Sequence, residues 1–361
     1  MTFEIRPLGK DNVPAEISLL ELAFDEEKAL LPTQTSMMHK YYENPVSIDA
    51  IAFGAFDGER LVGMDMYMPA WYTCNGIRML GVQTCDSAVD PDYQRRGIFS
   101  QITKTAEAFF AEHGVDFFFG CPNSNSYPTY KKRGWTEAAH CKYAHIPLRI
   151  TGIAEEKMQR RIPSFFDGVY WALCFPLRIR AKRNHALRIE ESGTGDPAIF
   201  CSNVGESISF EMDAKTIQWK CEGESFHFYS VFAKETPLAR FIIKKTSIAA
   251  VVIAHDFFTK DRKTQIEAIS LLANTARNQG YAVLSFWTGL GTEDMRAFVR
   301  AGAIKYDHYK KGLPYMIKVL TTDRQKTALL QDTSRWRPLR IELDTVIDNF
   351  DTTQYARHFF R

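Results

Sequence analysis

The stretch that most constrains this chain is residues 79–113, where the apolar run MLGVQTCDSAV passes through DPDYQRRGIF into a long amphipathic segment that stops before Gly114. The run has the length and composition of a buried strand, and Ser100 to His113 carries apolar residues at helical spacing. Gly114 suits the left-handed backbone that closes a helix. A strand that enters a helix through so short a loop packs helix on sheet, which selects a mixed α/β architecture. The loop also has chemistry. Amides at the start of a helix have no partners within it, and the aligned peptide dipoles favour negative charge there. Gln94, Arg95, Arg96, Gly97, Ile98, Phe99 and Ser100 therefore read as an anion-binding turn. Gly97 admits a close backbone approach, and the two arginines add donors suited to phosphate. The spacing differs from both G-x-x-x-x-G-K-[ST] and G-x-G-x-x-G.

Around this junction the first 147 residues read as β-α-β-β-β-α-β-α-β. A strand at Phe3 to Ile5 precedes a helix from Asn12 to Leu31, and a hairpin turns at Asp57-Gly58. VDFFFGC is a strand, SYPTYKKRG a short helix and WTEAAHCKYAHIPL a final strand region. Residues 148–190 read as a helical connector with an aromatic patch and a basic run (Arg178, Arg180, Lys182, Arg183, Arg188) that forms a solvated or domain-packing face. A second unit over 191–343 repeats the first. Gly280 and Gly302 bracket a strand and a short helix much as Gly114 and Gly134 do. Residues 344–361 form a tail. The second unit lacks the first unit's chemistry: FFTKDRKTQ, before its long helix, has no glycine, and Phe298 stands where Tyr130 stands in the first. The expected fold is thus a mixed α/β (α+β) sheet in two tandem units, the second degenerate.

Composition excludes several classes. A formal charge of +2 over 361 residues is far from the basic excess of a general nucleic-acid binder. The seven cysteines (Cys74, Cys85, Cys121, Cys141, Cys174, Cys201, Cys221) form no C-x-x-C pair, so they read as reduced thiols, with no metal site expected. The N-terminus lacks the pattern of a signal peptide, no run reaches the roughly 20 apolar residues of a membrane span, and the expected address is the cytoplasm. An oligomer is compatible with all of this.

The turn Gln94-Arg95-Arg96-Gly97-Ile98-Phe99 resembles motif A of the GNAT acyltransferase superfamily, [QR]-x-x-G-x-[GA], with Phe99 as the departure. Downstream, Asn123-x-x-Ser126-x-x-x-Tyr130-x-x-x-Gly134-Trp135 resembles its motif B. The resemblance covers residues 1 to 147. It implies that Arg95 to Ser100 hold the pyrophosphate of an acyl-CoA, an acetyl- or short hydroxyacyl-CoA. Ala88 and Val89 would pair with the pantetheine arm where the fourth and fifth strands splay, with Asn123 and Ser126 nearby. Asn123 either orients that arm or caps a helix.

The resemblance makes Tyr130 the proton donor to the departing sulfur. Gln83 lies near the strand position where some members keep a glutamate. Asp86 is the nearest carboxylate, although strand alternation turns it away from Gln83; it is read as a base or a polar substrate contact. A base is dispensable if the amine has a pKa near 8, since about a tenth is then neutral at pH 7. The second unit would wall the acceptor pocket, with Trp219, His227, Tyr229, His255 and Trp287 as lining residues. The whole chain looks like bacterial two-domain enzymes that acylate amino sugars, some nucleotide-linked, for surface polysaccharides. Mycothiol synthase, the peptide-bridge transferases and a noncatalytic acyl-CoA sensor are the alternatives.

Overall fold

The computed structural model describes residues 3–24, 31–124, 126–158, 160–173, 187–192, 205–306 and 312–346. The strands are β1 Glu4–Pro7, β2 Ala52–Asp57, β3 Arg60–Cys74, β4 Ile77–Val89, β5 Phe117–Gly120, β6 Thr136–Pro147 and β7 Leu187–Ser192. They continue with β8 Ser209–Phe210, β9 Phe226–Ala233, β10 Thr236–Lys245, β11 Ala249–Phe257, β12 Val283–Gly289, β13 Ile304–Tyr306 and β14 Leu313–Val319. The helices are α1 Val13–Ala23, α2 Gln34–Met37, α3 Ile98–Glu112, α4 Tyr127–Lys132, α5 Ile150–Met158 and α6 Phe165–Leu173, then α7 Ala214–Lys220, α8 Arg262–Asn278, α9 Glu293–Arg300 and α10 Arg324–Gln331. A π-helical turn, Met38–Tyr42, continues α2.

Among the described residues these strands form one sheet in the order β1-β2-β3-β4-β5-β14-β6-β12-β11-β10-β9-β7, with β8 on β3 and β13 on β6. The sheet does not part at residue 147. The first half of β6 pairs with β14, from Ile317 opposite Thr136 to Leu313 opposite Cys141. Its second half pairs with β12, from Gly289 opposite Cys141 to Val283 opposite Pro147, and with β13 on its other edge. β14 also pairs with β5. The two units expected from the sequence have therefore exchanged strands. The last strand of the chain lies inside the first unit, and the end of β6 lies inside the second. The boundary expected at 190 also falls within a strand, β7, which pairs with β9.

Helices cover both faces of the first unit. Ile98, Ile102, Ala106 and Phe110 of α3 meet Phe53, Tyr67, Phe118 and Trp135 on one face. Contact is close: a Cβ at Gly63 would lie 2.6 Å from Ile98. On the other face Val13, Leu19 and Leu20 of α1 pack with Met64, Met66, Met68 and Ala88, and Trp219 of α7 joins them. A third cluster joins Phe117 and Phe119 of β5 to Trp287, Tyr315 and Trp336, so the two units share a core.

Two strand pairs open where they matter. β4 and β5 pair in parallel only from Gly81–Phe117 to Gln83–Phe119; β4 runs on to Val89 while β5 ends at Gly120. β11 and β12 repeat this, pairing only from Ala249–Val283 to Val252–Phe286. The second opening is filled by the chain itself. Leu339 bridges to Thr288, and Arg337 donates to the His255 carbonyl (3.1 Å) and to Asp256 Oδ1 (3.0 Å). Cys174, Cys201, Arg178, Arg180, Lys182, Arg183 and residues 347–361 lie outside the described residues. Arg188 pairs with Glu190 at 2.7 Å on the sheet's edge strand.

Because β5 and the start of β6 need β14 between them, residues 1–147 expressed alone are expected to show no cooperative unfolding transition in urea. Co-expression with residues 148–361 should restore one, as read by circular dichroism.

Candidate active site

The turn between β4 and α3 is tightly built. Asp90 caps the 3-10 turn Pro91–Tyr93, accepting from the Asp92 amide at 2.9 Å, and is itself held by Arg60 at 2.6 Å. Tyr93 anchors the turn by donating to Asp57 at 2.8 Å. Arg95 (φ 61°) and Gly97 (φ 76°) both take the left-handed backbone, which turns successive amides toward one side. Gly97 gives α3 no side-chain cap, and its Cβ position borders open space. Gln94, Arg95, Arg96, Gly97 and Ser100 are exposed, whereas Ile98 is buried. Arg96 donates to the Asp92 carbonyl at 2.8 Å with its guanidinium over the Tyr93 ring. Gln94 reaches the Val89 carbonyl at 3.4 Å.

A small cavity lies beneath the start of α3, lined by Phe99, Thr103, Thr84, Tyr130, Arg133, Trp135 and Asp65. Phe99 occupies the position where the superfamily has a small residue, and its ring forms part of the cavity wall. The Tyr130 hydroxyl lies 2.7 Å from Thr84 Oγ1, on the part of β4 that has left β5. Burial raises its proton affinity, and the neighbouring Asp65 charge adds to this, so Tyr130 stays a proton donor at neutral pH. Asp65 is fully buried; burial pushes its carboxyl up to about 6 against hydrogen bonds from Ser87 and Tyr67, both 2.6 Å. Arg133 ties α4 to α3 by bonds to Thr103 and to Glu107 (3.0 Å). Asn123 holds the turn that leads into α4: its Oδ1 accepts from the Ser126 amide at 3.0 Å and the Ser126 hydroxyl at 3.1 Å. Ser126 is the N-cap residue of α4, so the exposed Asn123 lies ahead of the helix and does not cap it.

The opposite face of β4 is built differently. Between Met66–Cys85 and Met64–Ala88 the register slips by one residue, so Asp86 and Ser87 together oppose Asp65. Asp86 carries the bulge at φ 36°. This corrects the expectation from alternation: the bulge sends Ser87 to the Asp65 side and leaves Asp86 on the face of Gln83. There Asp86 Oδ2 accepts from Lys40 Nζ at 2.9 Å and Tyr41 at 2.6 Å. Lys40 is fully buried and also donates to Asp344 Oδ2 at 3.2 Å, while Asp344 Oδ1 accepts from Gln83 at 2.7 Å. Asp86 is thus committed to an ion pair, which suits a positioning group better than a base.

Nearby, Lys220 donates to the carbonyls of Glu342 and Leu343 at 3.3 and 3.2 Å, and burial lowers its ammonium to about 8. Burial lifts Glu342 to about 7 despite bonds from Tyr315 (2.9 Å) and Tyr72 (3.1 Å). Trp219, from the second unit, exchanges hydrogen bonds with His39 on this face. The other four residues proposed as its wall lie elsewhere: Tyr229 and Trp287 in cores, His227 beside Glu191, His255 beside Asp294.

Residues 4–138 match the family model of the acetyltransferase (GNAT) domain. That stretch, under half of the chain, is similar to a GNAT acetyltransferase domain, which supports an acyltransferase. Enzymes of this type use acetyl-CoA and a small-molecule acceptor. The fold agrees with solved structures of low sequence identity. A probable N-acyltransferase from Enterococcus faecalis V583 is 15% identical, with TM-score 0.63 over 89% of this chain and 73% of that one. A GCN5-related N-acetyltransferase from Anabaena variabilis is 11% identical, with TM-score 0.62 over 88% and 73%. A tandem GNAT protein from the clavulanic acid biosynthesis pathway is 13% identical, with TM-score 0.51 over 88% of this chain and 99% of that one. No curated protein matches the chain. Among the described residues no helix is long and apolar enough to cross a membrane, and no cluster of metal-ligating side chains occurs.

Sequence reading missed Lys40 and Asp344, which lie far along the chain from their partners, and Asp65, whose role depends on the β4 bulge that brings Ser87 opposite it. The carboxyl of Asp344 is held below its ordinary value, against burial, chiefly by the Lys40 ammonium. Its stabilisation is therefore present above the unfolded carboxylate pKa and lost as pH falls through the depressed one. Asp344→Asn is expected to cost about 1.5–3 kcal/mol at pH 7, read by urea denaturation, with the gap to wild type narrowing in acid.

Proposed function

We propose that the first unit transfers an acetyl or short hydroxyacyl group from acyl-CoA to the primary amine of an amino sugar, free or nucleotide-linked, as in surface-polysaccharide synthesis. The observation that carries the transfer reading is the Tyr130 hydroxyl, set against Thr84 beyond the end of the β4–β5 pairing, in a cavity that Phe99, at the start of α3, also lines. In this reading the amides of Gly97 to Ser100 and the Arg95 and Arg96 side chains hold the pyrophosphate, Gln94 supports the turn, and Ile98 and Phe99 seat it. Ala88 and Val89 lie on the stretch of β4 that β5 does not cover, so their strand can pair with the pantetheine amides. Asn123 and Ser126 act by fixing the start of α4, which carries Tyr130.

The reaction asks for two proton movements: the amine loses protons as the C–N bond forms, and the sulfur gains one as C–S breaks. Tyr130, protonated and buried, supplies the second. The second unit serves by packing. α7 brings Trp219 and Lys220 against the face of β4 opposite the cavity, which makes that face the acceptor side. The opening between β11 and β12 is taken by Arg337 and Leu339, which favours a single acyl-CoA site. The sugar follows from the resemblance in chain organisation and from the suitability of a low-pKa amine.

Purified protein with acetyl- and 3-hydroxybutyryl-CoA is assayed against free amino sugars, nucleotide-linked amino sugars and amino acids, with CoA and product separated chromatographically. Product with one sugar class is the expected result, and product only with amino acids would overturn the sugar assignment. Tyr130→Phe should lower kcat at least about 100-fold with CoA affinity nearly unchanged. Arg95→Ala and Arg96→Ala should each weaken CoA binding about tenfold or more, as expected for a lost charge-assisted bond of about 1.5–3 kcal/mol.

A further inference from the structure

Glu16 lies on the buried face of α1, one turn from Val13 and Leu20, where that helix packs on β3 and β4. It is fully buried, and neither of its carboxylate oxygens has a hydrogen-bond partner. The hydroxyl of Tyr42, at the end of the π-helical turn, is also buried without a partner. The Glu16 charge lies near enough to raise the Tyr42 hydroxyl further after burial, yet the two do not bond. Buried donors and acceptors are nearly always paired, so two complementary groups left without partners call for a third polar group between them.

The surroundings say which group fits. Asp86, at the bulge of β4, is the other carboxylate acting on Glu16, but Lys40 and Tyr41 already satisfy it. Lys10 lies over the Tyr42 ring at 5.7 Å, and Asp11 adds a further negative charge beside Tyr42. Glu16 has no cation of its own, and an unpaired buried carboxylate calls for a cation or a proton. Asp86 and Tyr42 are partly exposed, which places Glu16 one layer beneath an accessible surface on the acceptor side of β4.

We infer that Glu16 is the proton acceptor for the amine: the acceptor's ammonium is received between Glu16 and Tyr42 and gives one proton to the carboxylate. This rests on the acyltransfer reading above. The neutral nitrogen then forms the C–N bond as C–S breaks, the sulfur takes the Tyr130 proton, and the second nitrogen proton restores Tyr130. Burial and the Asp86 charge raise the Glu16 carboxyl to about 7, where it exchanges protons readily at neutral pH.

The test compares wild type with Glu16→Gln, using acetyl-CoA and the amino-sugar panel. Glu16→Gln should lower kcat/KM about 100-fold at pH 7 and abolish the acid limb near pH 7, with CoA affinity by calorimetry unchanged. Infrared titration supplies a readout free of any acceptor: Glu342 and Asp65 also lose carboxylic acid absorption near neutrality, so the readout is the wild-type minus Glu16→Gln difference, in which a carboxylic acid band that disappears near pH 7 should remain. A retained acid limb or undiminished turnover in Glu16→Gln, or no such band in the difference, would overturn the assignment while leaving the transferase reading intact. A wild type that binds CoA but acylates no amine would overturn both.

Discussion

The register of β6 is the constraint on which the rest depends. Its two halves are committed to different neighbours that meet at Cys141, where Leu313 pairs on one edge and Gly289 is also its partner. Backbone amides and carbonyls inside a sheet must be paired, so β14 has to return from the far end of the chain to lie between β5 and β6. That return carries the following segment back across both units. Residues 336–339 then enter the opening of the second unit, and residues 342–344 reach the face of β4 in the first. One topological exchange therefore closes one site and furnishes part of the other.

Within the first unit, a single inserted residue divides the chemistry. Without the bulge at Asp86, alternation would put Asp86 beside Thr84 and Tyr130, adding a second carboxylate to the buried cavity that already holds Asp65. With the bulge, Ser87 faces Asp65 while Asp86 joins Lys40, Tyr41 and, through Lys40, Asp344. Like charges sharing a dry site push each other's pKa values up, and with Asp86 on the other face its charge is the weakest of the influences on Asp65. The positive φ at Asp86 is tolerated because Lys40 and Tyr41 hold its side chain in place.

Local signals in the sequence were strong where local physics decides the outcome. The turn from Gln94 to Ser100, the hairpin at Asp57-Gly58, helix α8 and strands β9 to β12 follow from periodicity, turn chemistry and caps. The helix expected to Leu31 is described only to Ala23, where Phe24 takes a nonhelical backbone. Strand β14 is a short run with Pro314 near its start, and its identity comes from pairing with β5 and β6, which no local pattern encodes. β7 was hidden for the same reason, since its partner β9 lies beyond an intervening segment. The acidic and basic groups of the acceptor face escaped notice because Lys40, Asp86 and Asp344 are separated along the chain by hundreds of residues in the extreme case. Glu16 reads from sequence as one charged position in an amphipathic helix. Only the packing shows that it points inward.

The two openings in the sheet are treated differently by the chain. A parallel pair that diverges leaves strand groups without partners, and something must satisfy them. In the second unit the chain supplies it: the Thr288–Leu339 bridge takes up backbone groups, and Arg337 neutralises Asp256 and Asp294, the latter at 2.7 Å. Arg337 holds the Asp294 carboxyl well below its ordinary value, against the effect of burial, so this carboxylate stays ionised within the plug. In the first unit the corresponding stretch of β4 faces a cavity with a protonated tyrosine and a buried carboxyl near 6. The contrast is one of occupancy: where the chain satisfies its own strand ends, the opening is structural, and where it leaves them to a peptide-like arm, the opening can bind.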